Sequence, residues 1–546
     1  MQRKRVKKFG YDGFRAYRET ILSRELNAVA IQPEALLSIA LVFPNTYAVG
    51  MANLGFQSVY RLFNEFPNVR CERAFIYEQF PGVIRTLESG EELQNFDVVA
   101  FSIAYELDFP NLVQILISAG IEPFAADRHP LEPLVMAGGA IAFLNPAPIA
   151  PFSDFFYVGE IEPQLNSFLN LLVTQKQKHS HKEDILTALA EAEGIFVPSK
   201  YSAKNTIKRN YQPVKDSAPQ YSPVVSPDSH FKNMFLTEVG RGCGRYCNFC
   251  AASHIYHPFR IFSLEKILSM IQSQHQNTKR IGLIGAALSD YPGLFQLCEE
   301  LVDQGFELGL SSFRLDMITA SFLKILEQGK LHTLTFAPEA GTERLRSAIQ
   351  KNLTEQQILD ASDGIADSNI NQIKLYFLIG LPGERDEDIE GIVELTRSIQ
   401  KILWKTKKKT IFISVNTFIP KSFTPFQWSA METMQEIQRK RNYLEKEFRK
   451  IEGVIFTRKS VKEEILQGIF SLGNQDIAQG LYLKVKNNLD WQTAWRLTNI
   501  DPEAVIHKNR DFEDDLPWDF IDYGISKEKL WKNWHRSTAQ KAQKVP

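Results

Sequence analysis

The stretch GRGCGRYCNFCAASH, residues 240–254, carries three of the chain's five cysteines. Cys243, Cys247 and Cys250 have the spacing C-x3-C-x2-C, which brings three thiolates onto one wrapped loop. Glycines at 242 and 244 allow the backbone to pass close to whatever the thiolates bind. Clustered cysteines in a chain without a disulfide framework indicate metal or redox chemistry.

Two kinds of metal centre are compatible with three such thiolates. A structural zinc ion needs four ligands, and His254, four residues after Cys250, is an available fourth. A four-iron cluster would use the three thiolates and leave one iron open to a small molecule. Structural zinc loops usually come as paired knuckles, and no second Cys/His pair follows in the sequence. The spacing therefore favours the iron–sulfur cluster.

The rest of the composition is that of an ordinary globular protein. A chain of 546 residues exceeds what one core usually organises, so we expect two or three domains. The net charge of -1 gives no global field that would attract nucleic acid or an anionic membrane. We find no apolar run long enough to span a membrane and expect a cytoplasmic location. Cys71 and Cys298 lie in apolar patterns and are expected to be buried as small hydrophobes.

Short apolar runs alternate with helix-length segments in a first series, residues 1–175. This alternation predicts a doubly wound, Rossmann-like parallel sheet with a ligand site at the carboxyl ends of its strands. The predicted strands include 36–44, 96–105, 133–141 and 154–162. Residues 176–228 become polar and then rich in proline and serine, which indicates a connector, although EGIFVPSKY within it is a candidate to dock as a strand.

A second alternating series, residues 229–430, has six strand candidates, and the region 431–546 is mostly helical. The candidates are 233–240, 280–285, 306–312, 331–339, 373–380 and 410–420. Six βα units predict a partial (βα)6 TIM barrel with its site on the loops after the strands. The predicted fold class is therefore α/β, with a Rossmann-like sheet, a partial barrel and a helical C-terminal region in that order. The three cysteines lie on the loop after the first barrel strand.

A C-x3-C-x2-C motif at this place resembles the radical SAM superfamily, in which an aromatic residue, here Phe249, precedes the last cysteine. The resemblance implies a [4Fe-4S] cluster on Cys243, Cys247 and Cys250, with S-adenosylmethionine bound at the open iron. It implies reductive cleavage of S-adenosylmethionine to a 5′-deoxyadenosyl radical that abstracts hydrogen from a substrate. It also implies a reducing partner such as flavodoxin or ferredoxin.

The same resemblance assigns residues at later strand ends to S-adenosylmethionine, together with Phe249. Asp290 would accept bonds from the methionyl ammonium, although a turn or helix cap is an equal reading because the usual Gly-Gly-Glu form is absent. Arg314 would pair with the methionyl carboxylate, or form a surface ion pair. Glu339 would hold ribose hydroxyls, or complement the dipole of the following helix. Lys421 would face substrate or solvent.

The first domain resembles the cobalamin-binding Rossmann-like domain that precedes many radical SAM cores. The matching positions are Ser102, Gly138, Gly139 and VGEIE at 158–162. Small residues there would let a flat macrocycle lie against the strand ends. The motif that supplies a lower axial histidine is missing after the first strand, and the DRH at Asp127 and His129 reads as a turn. The resemblance therefore leaves cobalamin open as a third cofactor.

The predicted function is that of a radical SAM enzyme whose first domain carries cobalamin for methyl transfer to an unactivated carbon, or forms a cofactor-free lid. One alternative is a methylthiotransferase-like enzyme acting on RNA or protein. This alternative lacks support because the sequence has no second group of three cysteines for an auxiliary cluster and no basic RNA-binding module. The basic run 401–410 is interpreted as a solvated helix end. Two further alternatives are a non-catalytic iron–sulfur or zinc protein and a cobalamin carrier without radical chemistry.

Overall fold

The computed structural model describes residues 11–202, 206–275, 278–311, 314 and 317–539. The N-terminal part is a six-stranded sheet in the order β2-β1-β3-β4-β5-β6, parallel except for the last strand. Its strands are β1 Leu37–Thr46, β2 Val69–Ile76, β3 Val98–Ser102, β4 Leu134–Gly138, β5 Phe155–Tyr157 and β6 Ile195–Phe196. Its helices are α1 Tyr11–Arg24, α2 Tyr47–Gly50, α3 Leu54–Glu65, α4 Phe109–Ser118, α5 Leu165–Gln177 and α6 Lys182–Ala190.

This sheet is buried on both faces, as the continuous apolar strands predicted. Six consecutive residues of β1 are buried, because a parallel sheet covered by helices leaves neither face to water. Cys71 on β2 is fully buried, as expected. The parallel order 2-1-3-4-5 is that of a doubly wound sheet, which confirms the predicted α/β class.

The predicted connector contributes to the sheet that it leaves. β6, within the EGIFVPSKY stretch, pairs antiparallel with β5, Phe156 lying opposite Phe196. Further along, β7 Ile207–Lys208 pairs with β17 Ile521–Asp522 near the end of the chain. Residues 176–228 therefore contact both the first domain and the C-terminal region.

Within the described residues, the second α/β part has seven strands, which pair in parallel within two sheets. β8 Met234–Glu238, β11 Arg280–Ile284 and β12 Glu307–Leu310 form one sheet. β13 Thr333–Glu339, β14 Gln372–Ile379, β15 Thr410–Thr417 and β16 Val454–Thr457 form another. Six of the seven match the predicted strands, and β16 is an additional strand beyond the predicted boundary at 430. Closure of the two sheets into one partial barrel stays a prediction.

Helices cover these strands, and a short antiparallel pair follows β8. The pair is β9 Gly240–Arg241 with β10 Arg260–Ile261. The helices are α7 Ala252–Ile255, α8 Leu264–Gln274, α9 Leu294–Asp303, α10 Ala320–Gln328, α11 Glu343–Ala348, α12 Glu355–Ala366, α13 Asp386–Leu403 and α14 Met434–Phe448. Cys298 on α9 is fully buried, as predicted.

The C-terminal helices join the two α/β parts. They are α15 Val461–Leu472, α16 Ile477–Lys486, α17 Trp491–Leu497, α18 Pro502–His507 and α19 Lys527–Ala539. Phe470 on α15 packs on Phe109 of α4 with ring centroids 5.4 Å apart, and Asn145 donates to the Gly473 carbonyl at 2.8 Å. Lys421, after β15, forms an ion pair with the buried carboxylate of Glu106 in the first domain, so its amine is committed to that contact.

None of the helices in the described ranges is long and apolar enough to cross a membrane.

Two glycines test how tightly the second part is packed. A Cβ at Gly341 would lie 2.2 Å from the Ile392 nitrogen and 2.3 Å from the Asp388 carbonyl oxygen of α13. At Gly364, exposed on α12, the nearest atom, Leu323 Cδ1, would be 4.0 Å away. Gly341→Ala should therefore lower the thermal unfolding midpoint, by overpacking worth about 1–3 kcal/mol. The matched change Gly364→Ala should raise the midpoint slightly, since alanine gains about 0.5–1 kcal/mol over glycine in a helix. Equal midpoints for the two variants would contradict this packing.

Candidate functional site

The three clustered cysteines lie on the loop between β9 and α7, as predicted for the end of the first strand of this series. Cys247 is buried, Cys243 and Cys250 are half-buried, and all five cysteines of the chain are free thiols. Gly242 has φ +79°, and a Cβ there would lie 2.6 Å from the Tyr256 carbonyl oxygen. Only glycine fits this turn, which bends the loop just before Cys243.

Asn248 anchors the middle of the loop. Its side chain is completely buried and donates to the Ala348 carbonyl at 3.2 Å and to Ser537 Oγ at 2.5 Å. Its backbone NH donates to the Ile349 carbonyl at 3.0 Å, and its carbonyl accepts from Phe426 at 3.1 Å. The loop is thus fixed by α11, by α19 and by the segment after β15. Sequence reasoning missed Asn248, because its partners are about 100 and 289 residues away.

The arrangement of the three thiols bears on the choice between a zinc ion and an iron–sulfur cluster. Among the described residues, no three His, Cys, Asp or Glu side chains converge closely enough to hold a single metal ion. Burial raises the pKa of Cys247 to about 12 and also raises the pKa of Cys250, and the neighbouring cysteines add to both shifts, Cys250 and Cys243 to that of Cys247 and Cys243 to that of Cys250. Three neighbouring thiols are compatible with a cluster in which each thiolate binds a different iron.

His254, the candidate fourth ligand of a zinc ion, lies on α7 directly after the three cysteines. Its ring is buried, and burial lowers its pKa to about 4 despite a hydrogen bond with the Cys247 backbone. Its Nε2 atom has no hydrogen-bond partner in the part of the chain that the structure describes. The neutral ring packs edge-on against Tyr246 of the loop, with ring centroids 5.7 Å apart.

Glu339 lies at the carboxyl end of β13, as predicted, and is paired with a lysine that sequence reasoning missed. Lys351 Nζ is 3.0 Å from Glu339 Oε1, and both side chains are largely buried. Burial raises the pKa of Glu339, and the lysine opposes that rise. The charge of Lys351 also acts to lower the pKa of Cys247 and Cys250, which places this ion pair beside the thiols.

Asp290 forms a two-pronged ion pair with Arg245 of the cysteine loop, with Arg245 Nε 2.9 and 3.0 Å from the carboxylate oxygens. It therefore steadies the loop, and its neighbour Ser289 accepts the backbone NH of Arg314 at 2.8 Å. Phe249 is half-buried against an apolar cluster. That cluster comprises Ala340, Leu345, Ala348, Ile349, Leu381, Phe418 and Phe426. Phe249 lies in the cysteine loop, and Asp290 and Glu339 lie next to that loop. Arg314 is connected to the loop through Ser289 and its neighbour Asp290.

A cavity of about 560 Å³ lies between the carboxyl edge of the first sheet and the start of the cysteine loop. Its lining includes the predicted Ser102, Gly138 and Gly139 on one side and Arg241 and Gly242 on the other. Gly139 has φ +87°, and a Cβ there would lie 2.6 Å from the Ile103 carbonyl oxygen, so only glycine fits. The two α/β parts therefore meet around one chamber with a floor of small residues.

A buried ion network forms one wall of this chamber. Arg241 donates to Glu160 at 2.8 Å, to Glu162 at 2.5 Å and to Glu238 at 2.5 Å. Arg260 holds the other oxygen of Glu160 at 2.5 Å. Burial would raise the pKa of Glu160, but the two arginines hold it below its ordinary value. The VGEIE segment of the first domain is thus bonded to the residue two positions before Cys243.

With this geometry in place, comparisons with known proteins give the family. Residues 55–198 match the model for the N-terminal region of radical SAM proteins, and residues 237–396 match the radical SAM superfamily model. An uncharacterized protein of Methanocaldococcus jannaschii is 32% identical over 458 residues, which cover 83% of this chain and 91% of that protein. The chain belongs to the radical SAM superfamily, whose enzymes use a [4Fe-4S] cluster and S-adenosylmethionine.

Two solved structures are similar at low identity. The radical S-adenosylmethionine methyltransferase TsrM of Kitasatospora setae, with tryptophan substrate and a SAM analog bound, is 12% identical with a TM-score of 0.49. That match covers 69% of this chain and 72% of TsrM. The cobalamin-dependent S-adenosylmethionine radical enzyme OxsB, with aqua-cobalamin and S-adenosylmethionine bound, is 14% identical with a TM-score of 0.48. That match covers 92% of this chain and 79% of OxsB.

Replacing Arg241 should loosen the cysteine loop. Arg241→Met leaves three buried carboxylates short of a partner, and breaking such a network costs about 3–5 kcal/mol. We expect the variant to retain less iron and sulfide per chain after anaerobic reconstitution. Arg280→Met, at an arginine whose side chain is 43% exposed, is the matched control and should retain the native content. Equal iron content in the two variants would refute a positioning role for Arg241.

Proposed function

We propose that this chain binds a [4Fe-4S] cluster through Cys243, Cys247 and Cys250 and cleaves S-adenosylmethionine reductively. The observation that carries the proposal is the set of three free thiols on one loop that Gly242 bends just before Cys243. When bound, the cluster and S-adenosylmethionine supply one-electron cleavage of a sulfur–carbon bond, which gives methionine and a 5′-deoxyadenosyl radical.

The chain's own residues would position this chemistry and keep water from it. Phe249, Asp290, Arg314 and Glu339 are the proposed contacts to S-adenosylmethionine. Of these, Glu339 is supported best, since a buried carboxylate beside the thiols is available to polar groups of a ligand. Lys351 keeps that carboxylate charged and oriented through the 3.0 Å ion pair. Asp290 also forms the ion pair with Arg245 of the cysteine loop, which steadies the loop.

The chamber suggests where a second cofactor would act. We propose that a corrinoid lies with its flat face on Ser102, Gly138 and Gly139 and supports methyl transfer to an unactivated carbon. The support is the position of the chamber, at the carboxyl edge of a doubly wound sheet and next to the start of the cysteine loop. Small side chains at this edge leave room for a broad planar ligand. A cytoplasmic setting, with a low-potential electron donor, completes the proposal.

If Cys247 is a ligand of the cluster, removal of its thiol should abolish cluster binding completely. Cys247→Ala should abolish the broad charge-transfer absorption of the anaerobically reconstituted protein and reduce iron and sulfide to background. It should also abolish formation of 5′-deoxyadenosine from S-adenosylmethionine with dithionite as reductant. Liquid chromatography with mass detection measures the nucleoside.

Cys298→Ala is the matched control, because Cys298 is buried on α9 away from the loop. It should keep the spectrum and the cleavage, with at most a modest loss of stability from the small cavity. Survival of the absorption in Cys247→Ala would disprove the ligand assignment. A native cluster that never yields 5′-deoxyadenosine would favour a binding protein over an enzyme.

The corrinoid assignment is tested by filling the chamber. A Cβ at Gly138 meets its nearest atom, Met136 Cε, only at 4.0 Å, so Gly138→Leu should fold and project a side chain into the chamber. Native protein incubated with hydroxocobalamin should retain the corrinoid spectrum through gel filtration, and Gly138→Leu should lose it. Gly364→Leu, at the exposed helix position, should retain it. Failure of the corrinoid to bind native protein would favour a first domain that is a cofactor-free lid. Equal binding to Gly138→Leu would contradict the placement of the corrinoid in the chamber.

A further inference from the structure

The cysteine loop lies between two different environments, the chamber and the C-terminal helix α19. Arg241 and Gly242, at the start of the loop, face the chamber beneath the first domain. Asn248, further along the loop, contacts the C-terminal helix α19 through Ser537. The chamber is the proposed corrinoid site, and α19 contacts a different part of the loop.

The inner face of α19 is fixed firmly to the core. Leu530 is buried, and Trp534 donates to Ser429 Oγ at 3.0 Å and packs on the same apolar cluster as Phe249. Trp531 stacks on Trp534 with ring centroids 4.7 Å apart. The helix is thus a rigid wall next to the cysteine loop, and its outer face is held in one orientation.

The outer face of α19 is basic. Lys529, Lys532 and Arg536 recur at the three- and four-residue spacing of one helical stripe, and all three are exposed. None of the three side chains forms a salt bridge with another described residue. Ser537, the residue after Arg536, is hydrogen-bonded to Asn248, which places the C-terminal end of this stripe at the cysteine loop.

We propose that this stripe, Lys529, Lys532 and Arg536, is the docking surface for an acidic electron-carrier protein of the flavodoxin class. The inference rests on the proposed cluster. One electron passes from the flavin hydroquinone, which becomes the semiquinone, to the oxidised [4Fe-4S]²⁺ cluster, which becomes [4Fe-4S]⁺. The chain's net charge of -1 provides no global attraction, so complementarity must be local.

The test is charge reversal with a matched control. The triple variant Lys529→Glu, Lys532→Glu, Arg536→Glu should lower the second-order rate of cluster reduction by reduced flavodoxin about 10-fold at low ionic strength. Stopped-flow absorbance of the cluster gives this rate. Reduction by dithionite should be unchanged, because that small reductant needs no docking surface. Added salt should lower the native rate towards that of the variant.

The control reverses three other exposed lysines, Lys405, Lys407 and Lys408. They precede β15 and therefore lie at the amino end of a strand, whereas the cysteine loop follows the carboxyl end of β8. This variant has the same net charge as the α19 variant and should keep the native flavodoxin rate. Equal losses in both variants, or no loss in the α19 variant, would overturn the proposal.

Two further readouts keep the outcomes separate. Iron and sulfide content shows whether the α19 variant retains its cluster. If the cluster is lost, the same measurement is made on the triple variant Lys529→Gln, Lys532→Gln, Arg536→Gln. A single-stranded RNA that binds native protein and not the α19 variant, with the flavodoxin rate unaffected, would make the stripe a nucleic-acid site instead. Absence of 5′-deoxyadenosine with dithionite would count against the proposed function alone, because cluster reduction is measured without S-adenosylmethionine.

Discussion

The buried guanidinium of Arg241 is the interaction on which the arrangement of the two α/β parts depends. It is shared by Glu160 and Glu162 of the first domain and by Glu238 at the end of β8. Buried carboxylates are tolerable only where a partner meets them with good geometry, so neither domain can rotate without leaving one of them uncompensated. The same contact fixes the backbone just before Cys243. The mutual orientation of the domains and the start of the cysteine loop are therefore set by one group of charges.

Local patterns in the sequence predicted much of this architecture. Apolar runs gave six strands of the second part within a few residues, since alternating burial such as that of Ile411, Ile413 and Val415 is visible as a period of two. Gly139 and Gly242 were expected to make room for a bound ligand. In the structure each has a positive φ and lies against a backbone carbonyl, where a side chain would not fit. β16 escaped, because only four residues form it and two of them are half-exposed.

The partners of the site residues could not be predicted in this way. Asp290 was identified from its place after a strand, but its pairing with Arg245 joins residues 45 positions apart. Lys351 carries no local signal beyond following a helix, and Asn248 has its partners on two distant helices. Periodicity reports which face of an element is buried. It does not report which distant polar groups form hydrogen bonds or ion pairs there. Those contacts determine how charge is distributed around the thiols.

The hydrogen bond between Asn248 and Ser537 has a consequence for the order of events during synthesis. The two residues are 289 positions apart, so the cysteine loop emerges from the ribosome long before the helix that holds it. At about 5–20 residues per second, the loop waits roughly 15–60 s without that support. During this interval the three thiols are reachable by scaffold proteins that deliver iron and sulfide, and by oxidants. When α19 has been synthesised, Ser537 gives the buried Asn248 side chain its partner, and the support of the loop by this helix is complete.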